Sequence, residues 1–135
     1  MLAVDAQSDT EPLQTRRVVR LVQRHENDEL GGSRRETLRQ GADAAVVDDG
    51  DKPGTQIGPV QNKMQYEKLK GLLESAKLEG KIIAGGNAVD RDGYFIEPTI
   101  VRDVDDSARI VREEQFGPVL PVLKYDDLDE VMMRW

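Results

Sequence analysis

The chain has 135 residues, of which 38% are apolar and only 4% aromatic, and a net charge of −7 from 19 Lys+Arg against 26 Asp+Glu. That length allows one modest domain or part of a larger one, and the acidic balance argues against a nucleic-acid or anionic-membrane partner. No apolar run approaches the ~20 residues of a membrane span, and the N-terminus lacks a basic-then-apolar signal layout, so a cytoplasmic location is expected.

There are no cysteines, which excludes disulfides, thiolate metal sites and a thiol nucleophile. The one histidine, His25, has no neighbours that would build a Ser-His pair or a metal cluster around it. It reads as an exposed side chain in a charged segment, and no metal site is expected.

Residues 1–41 differ in kind from the rest. Their basic residues are seven arginines and no lysine, balanced by seven acids, so the whole −7 lies downstream. Arg17-Val18-Val19-Arg20-Leu21-Val22 has the composition of a turn or two of helix or of a short strand, and beyond it Gly31-Gly32-Ser33 interrupts the pattern. No period of 2.0 or 3.6 is sustained, which predicts a poorly ordered arm.

The texture changes near Ala42. Ala44-Ala45-Val46-Val47 is followed by Asp48-Asp49-Gly50-Asp51, which lacks the alternation and distal glutamate of a calcium loop and reads as a loop after a helix end. Pro53-Gly54 and Gly58-Pro59 then punctuate the chain twice.

The clearest helix runs from Asn62 to Lys77. Asn62 can cap it with Gln65 three residues later. Met64, Leu69, Leu72, Leu73 and Ala76 make an apolar stripe, Glu67–Lys70 and Glu74–Lys77 are favourable i,i+3 pairs, and Gly80 closes it. Lys81-Ile82-Ile83-Ala84 reads as a short buried strand ending in Gly85-Gly86. Neither a Walker loop nor a G-x-G-x-x-G fingerprint is present.

Tyr94–Val101 reads as extended, with Pro98 marking a strand start, bulge or edge. Asp105-Asp106-Ser107 offers caps for a helix through Ile110 and Val111 to Glu113. Val119–Tyr125 is a further strand, and Asp126 can cap a last helix containing Leu128, Val131 and Met132, still running at Trp135.

Glu113-Glu114-Gln115-Phe116-Gly117-Pro118-Val119 conflicts with this local logic. Two carboxylates at a helix C-terminus oppose the helix dipole and each other, which points to a site or to solvated charge. Three other stretches keep register with it: Pro53-Gly54-Thr55-Gln56-Ile57-Gly58-Pro59, the Asn62–Lys77 helix, and Gly93-Tyr94-Phe95-Ile96-Glu97-Pro98-Thr99-Ile100. Together the four closely resemble part of the catalytic domain of NAD(P)-dependent aldehyde dehydrogenases, over about residues 42–135.

The resemblance implies an α/β fold, a partial catalytic domain with helices packed on a mixed sheet, preceded by an unmatched leader at 1–41. It implies that Glu114 accepts hydrogen bonds from the nicotinamide-ribose hydroxyls and that Phe116 packs near the nicotinamide of NAD or NADP. Gln65 matches, more loosely, a position near the cofactor ribose. The family attacks its aldehyde with a cysteine thiolate, which this chain lacks, and its glutamate base and dinucleotide-binding domain have no counterpart here. The expectation is therefore an internal slice of the enzyme behind a frameshifted or foreign leader, inactive alone. Self-association, or association with a full-length subunit as a non-catalytic module, is the alternative expectation.

Overall fold

The computed structural model describes residues 20–23 and 28–134. Its organising strand is the apolar run Val119-Leu120-Pro121-Val122-Leu123-Lys124-Tyr125, which has neighbours on both sides. We label the strands β1 (Arg20–Gln23), β2 (Lys81–Ala84), β3 (Thr99–Arg102) and β4 (Val119–Tyr125), and the helices α1 (Asp28–Ala44), α2 (Lys63–Glu79), α3 (Arg109–Arg112) and α4 (Leu128–Arg134). The sheet order is β1-β4-β3-β2. β4 lies parallel to both β1 and β3, whereas β2 is antiparallel to β3. A strand covered on both faces needs apolar residues on both, which is why β4 reads as a continuous run and not an alternation.

Alternate residues divide between two layers, as a pleated strand requires. Val101, Val119, Leu123 and Tyr125 join a core built on Leu69, Leu72, Leu73 and Ala76 of α2, Ile110 and Val111 of α3 and Val131 of α4. Ile100 and Val122 face the other way, with Ala84 and with Leu38 and Ala42 of α1. The mixed α/β architecture thus follows the expectation. Pro121 lies inside this central strand, one residue before the first described β1 partner, Val122.

Within residues 1–41 the structure describes 20–23 and 28 onward. β1 pairs with β4, and α1 crosses the expected boundary to end at Ala44. Gly31 and Gly32 lower helix propensity, and α1 gains its place by packing Leu38 and Ala42 on the sheet, a contact with no local signature. The rest of the arm, with His25, lies outside the described residues, as does Trp135.

α2 follows its sequence closely. Asn62 accepts the Gln65 N–H at 2.8 Å, and the pairs Glu67–Lys70 and Glu74–Lys77 form at 3.5 and 2.7 Å. Met64 departs from the expected stripe: it is 76% exposed, since in the first turn it has no core opposite it. Gly80 ends the helix in an extended conformation, not the left-handed one usual at that place. Glycine is required there for space, because a Cβ would lie 2.9 Å from the Arg102 carbonyl oxygen.

Two other caps shift. Asp105 accepts the Ser107 N–H at 2.7 Å, one turn ahead of α3, whose N-cap Ala108 has no side-chain cap. Asp127, not Asp126, accepts the Asp129 N–H in the first turn of α4, at 3.2 Å.

Candidate functional site

The loop after α3 is assembled from both sides. α3 is a single turn, and Glu113 caps it in an extended conformation, with its N–H donating to the Arg109 carbonyl. One turn carries little of a helix dipole, so the expected penalty for acids there is small. Glu113 is also neutralised: the Arg109 guanidinium donates to it at 2.6 and 3.3 Å. That hydrogen bond holds the Glu113 carboxyl below the usual carboxylate range. Partial burial opposes the shift, and Lys68 adds a smaller pull downward.

Glu114 is treated differently. It is half-buried, its backbone carbonyl accepts the Lys68 ammonium at 2.9 Å, and among the described residues its carboxylate has no hydrogen-bond or ion-pair partner. Among the described residues the two adjacent glutamates therefore separate into a paired one and one whose carboxylate makes no contact.

Gln115 points inward and is 3% exposed. Its side-chain amide donates to the Ile110 carbonyl, satisfying a backbone oxygen left over at the end of the short helix. Its own backbone carbonyl accepts the Gln65 side-chain amide at 2.6 Å, fifty positions away in sequence. Gln65 is thus brought to the loop, but its amide is spent on backbone. The reciprocal half of the capping box is not made.

Phe116 follows with φ 46° and is 68% exposed. A non-glycine residue in the left-handed region costs on the order of 1 kcal/mol or more, and an exposed ring recovers little of that by burial. Gly117 then seats the chain against α2, where a Cβ would overlap Leu69 Cδ1 and lie 3.0 Å from Cδ2. A carboxylate with no partner among the described residues, two positions from a strained and exposed aromatic, makes this loop the candidate site. The carboxylate can take two hydroxyl donors and the ring can bear a flat apolar partner.

Sequence reasoning picked out Glu114, Phe116 and Gln65 and missed Lys68, the inward turn of Gln115 and the Leu69–Gly117 seat. Gln65 and Lys68 stand at i,i+3, which places them on one helix face, but nothing in a single sequence says what that face meets.

Other polar clusters are accounted for internally. Asp48 is engaged by Lys52 and Arg91, each at 2.9 Å, and Arg91 also lies over the Phe95 ring at 4.1 Å. The aspartate loop is thereby held by cations, and no cluster of acids or histidines that could hold a metal ion occurs among the described residues. A cavity of about 290 Å³ opens between residues 103–106 and 122–124. It is lined by three aspartates and Lys124 and shares no residue with the 113–117 loop. Among the described residues no helix is long and apolar enough to cross a membrane.

Comparison with known proteins bears on the family and the fold. The model of the aldehyde dehydrogenase family matches residues 17–135. The match therefore begins inside the leader expected to be unmatched. The chain is 42% identical over 98 residues to the mitochondrial aldehyde dehydrogenase of Leishmania tarentolae, covering 72% of this chain and 20% of that protein. It is 44% identical over 87 residues to the 1-pyrroline-5-carboxylate dehydrogenase of Bacillus subtilis (strain 168), covering 64% and 17%. Among solved structures, the NAD+ complex of an aldehyde dehydrogenase from Bacillus cereus superposes with a TM-score of 0.76 at 35% identity, covering 84% of this chain and 23% of that one. The chain spans about a fifth of the length of the curated relatives it matches.

Proposed function

The chain belongs to the aldehyde dehydrogenase family, and on that premise we propose that its 113–117 loop forms one wall of a nicotinamide-dinucleotide site. In this reading Glu114 accepts hydrogen bonds from the two ribose hydroxyls next to the nicotinamide, and Phe116 bears against the ring. The cofactor, NAD or NADP, supplies the hydride acceptor for oxidation of an aldehyde to a carboxylic acid. What carries the reading is that the Glu114 carboxylate has no partner among the described residues while Phe116, two positions on, is exposed and strained. An ionised carboxylate accepts only, so its two oxygens suit two neighbouring hydroxyl donors.

The residues present orient and bind; they do not react. With no cysteine in the chain, the thiolate addition that the family resemblance implies has no nucleophile here. We expect these 135 residues alone to show no NAD-dependent aldehyde oxidation above a no-protein control. One carboxylate and one ring hold a dinucleotide weakly, with a dissociation constant no better than about 1 mM.

An NAD titration followed by amide chemical shifts tests the reading. Shifts should gather at residues 114–117, shrink in Glu114→Gln and persist in Glu113→Gln. Equal loss in the two variants, or shifts confined to another surface, would refute the assignment.

A second reading rests on the exposed apolar side chains Leu78, Met132 and Met133, at 90%, 71% and 89%. In it the chain acts as a non-catalytic module that associates with itself or with a full-length family subunit. Sedimentation with and without such a subunit decides it: a defined complex supports the module, and an unchanged monomer removes it.

A further inference from the structure

α3 is a single turn that cannot cap itself, and both of its ends are served from elsewhere. Ala108 at its N-cap makes no side-chain cap, and the Arg109 N–H donates to Glu79 Oε2 at 2.9 Å, thirty positions back. At the other end the Gln115 side-chain amide donates to the Ile110 carbonyl. These contacts satisfy backbone groups that a helix end leaves over. Glu79 is itself a local conflict. It is the last residue of α2, where the helix dipole disfavours a carboxylate, and its place is explained by the N–H it serves on α3.

The Arg109 guanidinium reaches forward along the turn to Glu113, at 2.6 and 3.3 Å. It also lies over the middle of α2, where a Cβ on Gly71 would stand 3.5 Å from its Nη1. Glycine is a poor helix residue, and here it leaves room that any side chain longer than a methyl group would take from the guanidinium. Arg109 is thus held through its backbone by Glu79 and through its side chain by Glu113, with Gly71 beneath it. The Glu79 charge adds to the attraction on Arg109, and Lys68 adds a smaller one on Glu113.

We infer that Arg109 is a positioning residue for the 113–117 loop: seated from the far half of α2 by Glu79 and Gly71, it commits Glu113 to an internal pair and fixes the point at which the chain leaves α3. Its consequence for a ligand rests on Glu114 and Phe116 being ligand-facing, whereas the seating itself does not. Without Arg109, Glu113 becomes a second free carboxylate beside Glu114, and the extended backbone at Glu113 loses its side-chain tether.

The full chain carrying carbon-13 at its glutamate carboxyls and 4-fluorophenylalanine provides the test. Its two phenylalanines differ in exposure, Phe95 at 2% and Phe116 at 68%, so the first reports the fold and the second the loop. In the wild type the Glu113 carboxyl should titrate below the ordinary value of about 4.3. Arg109→Met should bring it up to about that value and, at pH 7, move the Phe116 fluorine resonance by more than its linewidth with Phe95 unmoved. Arg109→Lys keeps the charge but not the forked donation, and should recover both signals in part. Glu79→Met relieves the conflict at the end of α2, so it should move Phe116 in smaller degree without loosening that helix, and Glu79→Gln, which keeps an oxygen acceptor, should restore it. A Glu113 titration unchanged in Arg109→Met overturns the proposal, and so does a Phe116 resonance unchanged in that variant. Movement of both rings together in Arg109→Met and in Glu79→Met also overturns it, since that marks a role in the fold at large.

NAD added to the same samples separates this inference from the reading of the loop. If NAD leaves the wild-type Phe116 signal unmoved, the ligand-facing reading fails while the seating is still judged on the carboxyl and fluorine signals. If NAD moves it, Arg109→Met should raise the apparent dissociation constant about twofold or more, as for a loop that keeps its form half the time or less.

Discussion

Gly117→Ala measures how tightly the loop is seated. Leu69 is fully buried among Leu72, Leu73, Ile110 and Val111, and the new methyl would overlap its Cδ1 and stand 3.0 Å from Cδ2. Both positions fall inside the ~3.5 Å of ordinary carbon contact. Leu69 cannot recede without displacing its neighbours, because interiors are close-packed. Overpacking of this kind costs about 1–3 kcal/mol. Leu69→Ala alone removes buried methyl groups and costs about 2–5 kcal/mol, but it also clears the space that a methyl at position 117 needs. The two substitutions should therefore couple: Gly117→Ala in the Leu69→Ala background should cost less than about 0.5 kcal/mol, a coupling of about 1–3 kcal/mol. Urea unfolding followed by far-ultraviolet circular dichroism reads this directly, since at a slope of about 2 kcal/mol per molar a 2 kcal/mol loss moves the midpoint by about 1 M. Equal cost of Gly117→Ala in the two backgrounds would refute the seat as the reason for glycine at 117.

Gly85→Ala should be more damaging. Gly85 has φ +63°, and a Cβ there would overlap the Pro98 carbonyl oxygen and lie 2.7 Å from Thr99 Oγ1, which accepts the Gly86 N–H at 2.9 Å. Left-handed strain plus a backbone clash predicts a loss of about 3 kcal/mol and a melting midpoint lower by more than about 10 °C; a change within about 3 °C would contradict it. The Glu113–Arg109 pair gives a pH signature. Its carboxyl is held below the usual range in the folded chain, so its contribution is present above the ordinary glutamate pKa of about 4.3 and is lost as pH falls through the folded value. With side chains 38% and 42% exposed, the contribution is about 0.2–1 kcal/mol. The stability difference between wild type and Glu113→Gln should appear at pH 7 and vanish toward pH 3, and a difference that grows on acidification would reverse the assigned sign.

Much of α2 is legible from sequence because its determinants are local. The Asn62 cap, the Leu69-Leu72-Leu73-Ala76 stripe and the closing Gly80 act within a turn or two of the residues they organise. β2 and β4 are legible for a similar reason, since short β-branched or apolar runs bounded by glycine or proline leave few alternatives. The register of four motifs also pointed to the family without any contact being known. α1 was not legible, and β1 was legible only as one of two alternatives, a turn or two of helix or a short strand over Arg17–Val22. Gly31-Gly32-Ser33 argues against a helix locally, and the packing of Leu38 and Ala42 on the cluster of Ala84, Ile100 and Val122 outweighs it only once the sheet exists.

The loop at 113–117 divides along the same line. Residue chemistry by itself determined that two adjacent carboxylates, an aromatic and a Gly-Pro break stand together, and that these 135 residues carry no thiol. The Arg109 partner of Glu113 is local, four residues upstream on α3, but only the tertiary structure brought to the Glu114 carbonyl its donor, 46 positions back on α2. The Leu69 seat that calls for glycine at 117 depends likewise on how α2 lies against the loop. Caps and stripes are written in neighbouring residues, whereas the aim of a side chain depends on which distant carbonyls and methyl groups folding brings against its backbone.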